Sequence, residues 1–148
     1  MSKVIQAILS GMFFTFILDF FLFLGIKLHY IDANEIDLYY NILFADNQNI
    51  YIFLFFTALL GYVTLYLSNK ISIILLGTLF VLTFSTLIAP IGALSGELLL
   101  MEKNKTLETH KFIYRGDVYY TGRKAVYFYD RKLETLLKIE KKNIKELY

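Results

Sequence analysis

The stretch FFTFILDFFLFLGI, residues 13–26, decides how the chain is read. Twelve of its fourteen residues are apolar or Gly, and the exceptions are Thr15 and Asp19. Such a run suits a hydrocarbon layer, where an acid is costly unless it faces other protein. The rest of the chain agrees. Its 148 residues are 57% hydrophobic, 18% aromatic and only 19% charged, which is unlike a soluble domain. The apolar residues gather into three runs, 4–28, 50–67 and 71–101. Each reaches the roughly 20 residues needed to cross a hydrocarbon core of about 30 Å.

The first run is too long for a cleavable signal and has no small-residue cleavage site after it, so it reads as a retained anchor. There is no Cys, which excludes disulfides, thiolate metal sites and Cys nucleophiles. The abundance of Asn, Lys, Ile and Phe is the bias of an AT-rich bacterial gene, and the membrane expected is therefore a bacterial inner membrane.

Between the first two runs, DANEIDLYYNILF (residues 32–44) has helical character. Asp32 and Glu35 are spaced as a capping box. Ile36, Tyr40, Leu43 and Phe44 then share a face, which predicts a short amphipathic helix at the membrane surface with Tyr39 and Tyr40 near the headgroups. Residues 46–49 are expected to cap the second span. The link at residues 68–70 is so short that the second and third spans form an antiparallel hairpin. Pro90 inside the third run predicts a kink.

From residue 102 the character changes, with twelve basic residues against seven acidic ones. Alternation of aromatic or branched residues with polar ones predicts strands at 111–114, 118–121, 125–129 and 135–139, broken at Gly116 and Gly122. The RGD at 115–117 reads as a hairpin turn, and residues 143–148 as a last strand or short helix. The fold class expected is thus a membrane α-helical protein. Residues 1–101 form three transmembrane helices and a loop helix, and residues 102–148 form a small basic antiparallel β meander. About 45 residues make a weak independent core, so the meander is expected to dock on the membrane, a partner or another copy. Counting Lys and Arg across the loops favours a cytoplasmic C-terminus in a multi-pass topology.

Small residues recur at four-residue spacing. Ala7, Gly11 and Thr15 lead to Asp19 on the first helix. Gly61 lies between Thr57 and Thr64 on the second. Ala89 and Ala93, with Gly92 and Gly96, mark the third. Without a hydrophobic force between helices in lipid, such stripes allow close backbone packing. Counting depth at about 1.5 Å per residue sets Asp19 level with Thr57 and with Ser85 or Thr86. A buried polar layer of these four is expected, with hydroxyls donating to the acid.

His29, Asp32 and Glu35 carry donors suited to a divalent metal, but helix capping explains two of them better, and neither a metal nor a cofactor is expected. No P-loop, HExxH, G-x-S-x-G or paired catalytic carboxylates occur. The expectation is a non-enzymatic accessory, assembly or structural subunit of an inner-membrane complex. Its partners would be membrane lipids and a protein or a second copy, without nucleic acid. The alternatives are a proton- or cation-coupled transport component using Asp19 and, behind it, a lipid-acting membrane enzyme.

Overall fold

The computed structural model describes residues 2–148. Helix α1 (Lys3–Ile26) continues into a π-helical turn (Lys27–Ile31) and is followed by α2 (Tyr40–Asn47), α3 (Ile50–Tyr66), α4 (Asn69–Ser85) and α5 (Ala89–Leu100). Strands β1 (Glu102–Thr109), β2 (Ile113–Thr121), β3 (Ala125–Asp130) and β4 (Thr135–Glu140) come next. A 3-10 turn (Lys141–Asn143) then leads to β5 (Ile144–Leu147).

One helix, residues 3–31 taken together, is long and apolar enough to cross a membrane. The number rises to three if each bent helix pair counts as one span, α2 with α3 at 84° and α4 with α5 at 93°. The third run is therefore not a helix kinked at Pro90 but two helices at nearly a right angle. The break lies at residues 86–88, and Pro90 falls in the first turn of α5, where its missing N–H has no intrahelical acceptor to lose. The predicted capping box does not form either. Asp32 pairs with Lys27, Glu35 has a positive φ of 56°, and the loop helix starts only at Tyr40. Asn49 caps α3 as expected, accepting from the amides of Tyr51 and Ile52 at 2.9 and 3.3 Å.

Helices α1 and α3 cross in opposite directions with their backbones nearly touching. A Cβ added to Gly11 would lie 1.9 Å from the Thr57 carbonyl oxygen, and one on Gly61 would lie 2.2 Å from that of Ala7. The contact face of α1 runs through Gly11, Thr15 and Leu18. It does not reach Asp19, because a four-residue stripe drifts about 40° per step on a helix of 3.6 residues per turn. Helix α4 packs far less: Ser72 is its one buried residue, with its hydroxyl donating to Val63 O at 2.6 Å. Ile73 and Val81 are 70% exposed. With the open apolar faces of α1 and α3, that surface far exceeds what a water-soluble monomer carries, and it suits lipid.

The strands form one antiparallel sheet in the order β4-β3-β2-β1-β5. The two edge strands are consecutive in sequence and joined by three 3-10 residues. In a flat sheet they would stand about 19 Å apart at roughly 4.8 Å per strand, whereas such a turn advances only about 6 Å. The sheet must therefore roll. Leu107, Val118, Val126 and Phe128 fill the roll and meet Ile139 and Ile144 from the two edges. Two predicted strands merge into β2, which passes through Gly116, and β1 escaped prediction. The RGD is thus mid-strand and not a turn. Gly116 is needed because a Cβ there would lie 1.8 Å from the Tyr129 carbonyl oxygen.

A bulge after Glu102 leaves Asn104 with φ of 57°, and Asp117 braces it. The carboxylate accepts from the Asn104 amide at 2.8 Å and from Arg131 at 2.7 and 3.3 Å. Burial would push this carboxyl up, but the Asn104 amide and the Arg131 guanidinium outweigh it and hold it below the ordinary carboxylate value.

Two predictions follow from these contacts. Gly61→Ala should cost about 1–3 kcal/mol from overpacking. Gly77→Ala, at a site with open space around it, should be neutral or stabilise by up to about 1 kcal/mol. Thermal unfolding in detergent reads both, and equal effects would refute the close α1–α3 crossing. For Asp117→Asn, a carboxyl lowered in the folded state stabilises the protein above its ordinary value and stops doing so as pH falls through its folded value. The stability gap between wild type and Asp117→Asn should therefore be full at neutral pH and close below about pH 4.

Candidate functional site at the helix–sheet junction

The residues chosen for a polar layer do not assemble. Asp19 accepts from Gln48 Nε2 at 3.0 Å, at the joint between α2 and α3. Thr57 packs against Gly11, and its hydroxyl is buried with no partner. The Ser85 hydroxyl donates to Leu82 O at 2.7 Å within its own helix. Thr86 donates to Thr83 O at 2.6 Å and to Phe21 O at 3.3 Å. The depth count failed because it took the second and third runs as straight rods beginning at their first apolar residues. In the observed pairing Thr57 lies opposite Gly11, so the residue that reaches Asp19 is Gln48, before α3 begins.

Of the small residues, Ala7, Gly11, Thr15 and Gly61 lie at the α1–α3 crossing. Gly92 and Gly96 seat α5 against the end of α1. A Cβ on Gly92 would lie 2.3 Å from Thr86 O, and one on Gly96 would lie 2.2 Å from the Tyr30 ring. Ala89 is exposed and Ala93 half-buried. His29, Asp32 and Glu35 do not converge. His29 Nε2 lies 2.8 Å from Leu87 O, and among the described residues no His, Cys, Asp and Glu group could hold a metal.

What sequence reasoning missed is the junction where the rolled sheet meets the helices. Phe23, Ile26, Tyr30, Ile31, Ile36 and Leu43 from the helical part share one buried core with Tyr120 and Tyr127 from the sheet. The meander therefore docks on its own helices. A second bulge makes this possible: Val118 pairs with Phe128 but Tyr120 pairs with Tyr127. The extra residue turns Tyr120 from the inside of the roll to the helix side. Alternation alone would have left Val118 and Tyr120 on one face.

Tyrosine hydroxyls then tie the two parts at their edges. Tyr30 donates to Tyr119 O at 2.9 Å, and Tyr127 donates to Asp37 O at 2.9 Å. Tyr120 donates to the Asp46 carboxylate at 3.2 Å. Arg123, in the β2–β3 turn, pairs with the same carboxylate and donates to Ala45 O at 3.1 Å. Burial and then the neighbouring Asp46 push the Tyr120 phenol above its ordinary value, so it stays a neutral donor. A cleft of about 550 Å³ opens beside these contacts, between α2 and the sheet. A second, of about 610 Å³, lies between the β1–β2 turn and β4.

Asp46 is 7% exposed and Arg123 is 71% exposed, so the two ends of their pair should matter unequally. Asp46→Ala strands the buried Tyr120 hydroxyl and should cost about 1–3 kcal/mol. Arg123→Gln should cost less than about 1 kcal/mol. Near-ultraviolet circular dichroism on heating in detergent reads the difference, and equal costs would show that the buried hydrogen bond does not hold the junction. No known protein family, curated protein or solved structure matches this chain.

Proposed function

We propose that the chain is a multi-pass protein of a bacterial inner membrane that holds its rolled sheet rigidly at the cytoplasmic surface, as a non-enzymatic accessory or assembly subunit. The observation that carries this reading is the shared core: a freely tethered sheet would not need Tyr120 and Tyr127 buried among helix residues. Helix α1 with its π turn would be about 43 Å long at 1.5 Å per residue, longer than a hydrocarbon core of about 30 Å. Its last turns would then stand clear of the lipid and serve as the pedestal for the sheet.

Helices α3 and α4, 17 residues each, match the short end of spanning length. Both sharp bends flank the same part of α1: Gln48 meets Asp19 and Thr86 meets Phe21. In this reading α2 and α5 lie along the membrane surface, and α5 turns Ile91, Leu94 and Leu98 outward to it. Asp19 then sits at the edge of the lipid, bonded to an amide, where an acid costs far less than at the bilayer centre. That position favours anchoring over proton relay.

Because the chain has no Cys, single introduced thiols report topology cleanly. In inverted and right-side-out vesicles, Lys70→Cys and Lys142→Cys should label from opposite faces, with Lys142→Cys cytoplasmic. Labelling from the same face would overturn the arrangement of three spans. Purification in mild detergent should retain a stoichiometric protein partner or a second copy, and an isolated, well-folded monomer would overturn the accessory role.

A further inference from the structure

The cleft of about 550 Å³ between α2 and the sheet joins two chemistries. Its α2 side is lined by Leu38, Ile42 and Ala45, and its sheet side by Arg123, Lys124 and Lys138. Two acids, Asp37 and Asp46, also border it. Asp46 is taken up by Arg123 and Tyr120, while Asp37 offers its backbone carbonyl to Tyr127 and its carboxylate acts on Lys138 through space. Among the described residues neither Lys124 nor Lys138 forms an ion pair. Lys138 is held over the Tyr127 ring at 5.5 Å from its centre, and Gly122 and Lys124 are fixed by backbone bonds to Ala125 and Lys141. These two cations outside any ion pair are thus mounted on a bound turn and an aromatic face above an apolar floor. A soluble anion needs only the cations. An amphiphile with a phosphate above an apolar body needs both sides of the cleft.

We propose that this cleft is a binding site for the headgroup of an anionic phospholipid, with Lys124 and Lys138 meeting the phosphate and Ile42 and Leu38 meeting the glycerol and upper acyl segment. The site rests on the surface position given above to α2, which would bring the cleft to headgroup level. Its neighbour, the cleft of about 610 Å³ lined by His110, Lys111, Phe112 and Lys142, is the internal control, since it shares Lys138 but lies at the β1–β2 turn.

The test is native mass spectrometry of the full chain in detergent, titrated with phosphatidylglycerol or phosphatidylcholine of equal chain length. The wild type should retain phosphatidylglycerol preferentially. Each lysine near an anionic surface is worth about a factor of five, so K124Q/K138Q should weaken retention roughly twenty-five-fold. K124R/K138R should keep it, and K111Q/K142Q should leave it unchanged. Equal retention of the two lipids overturns the proposal, as does a loss carried by K111Q/K142Q instead. Displacement of the lipid by millimolar glycerol phosphate would overturn the assignment to a lipid and favour a soluble anion. Alkaline carbonate extraction separates this inference from the anchoring reading. A chain that stays in the membrane without lipid preference refutes the site alone, and a chain released from the membrane refutes both.

Discussion

The far end of α1 carries the rest of the structure. Ile26, Tyr30 and Ile31 are almost wholly removed from solvent, although they follow a run built for lipid. The helix widens there into a π turn, with the Asp32 amide reaching back to Lys27 O at 2.9 Å. Such a turn places one extra residue in the helix and shifts the side chains beyond it. Tyr30 lies just there. Its ring fills the space left by Gly96 of α5, and its hydroxyl reaches Tyr119 of the sheet. One residue of the π turn thereby touches both the last helix and the sheet.

Close backbone approach, and not polar bonding, holds the long apolar helices α1 and α3 together. Thr15 and Thr57 bury hydroxyls that find no partner, which costs stability. The α1–α3 crossing offsets that cost through contact between bare backbones at Gly11 and Gly61, where dispersion acts along the whole seam. The same device recurs at the α4–α5 joint. Thr86 is wedged between Gly25 and Gly92, and its hydroxyl bonds to Thr83 O in its own helix and reaches Phe21 O of α1. The right angle between α4 and α5 is therefore built into the packing of three small residues, and Pro90 only begins the helix that follows.

The sheet is small, yet it has two cores with different tasks. Leu107, Val118, Val126 and Phe128 close the roll, while Tyr120 and Tyr127 belong to the helical core. The bulge between Val118 and Tyr120 divides them. A domain of this size would be marginal alone, and the second core supplies apolar contacts that the roll cannot. The tyrosines suit that boundary: each buries a ring and brings a hydroxyl to the edge, where a carbonyl or carboxylate waits.

Composition and periodicity alone determined the broad class: apolar runs of spanning length, a short helix before Asn49, and a basic β meander after residue 101. Those features are local, because hydropathy is additive along a chain and alternation survives inside a single strand. The stripe through Gly11 and Gly61 was legible for the same reason, since spacing on one helix sets its small-residue face. The polar layer around Asp19 was not legible. It needed the register between helices, and that depends on where α3 begins and how far α2 folds across α1. The junction was hidden too. Tyr120 reads as an ordinary strand residue until the bulge turns it, and Asp46 reads as a helix-cap acid until Arg123, far along the chain, is brought to it. Only the tertiary structure decided these contacts, because each one joins residues whose proximity costs chain entropy that no local sequence signal records.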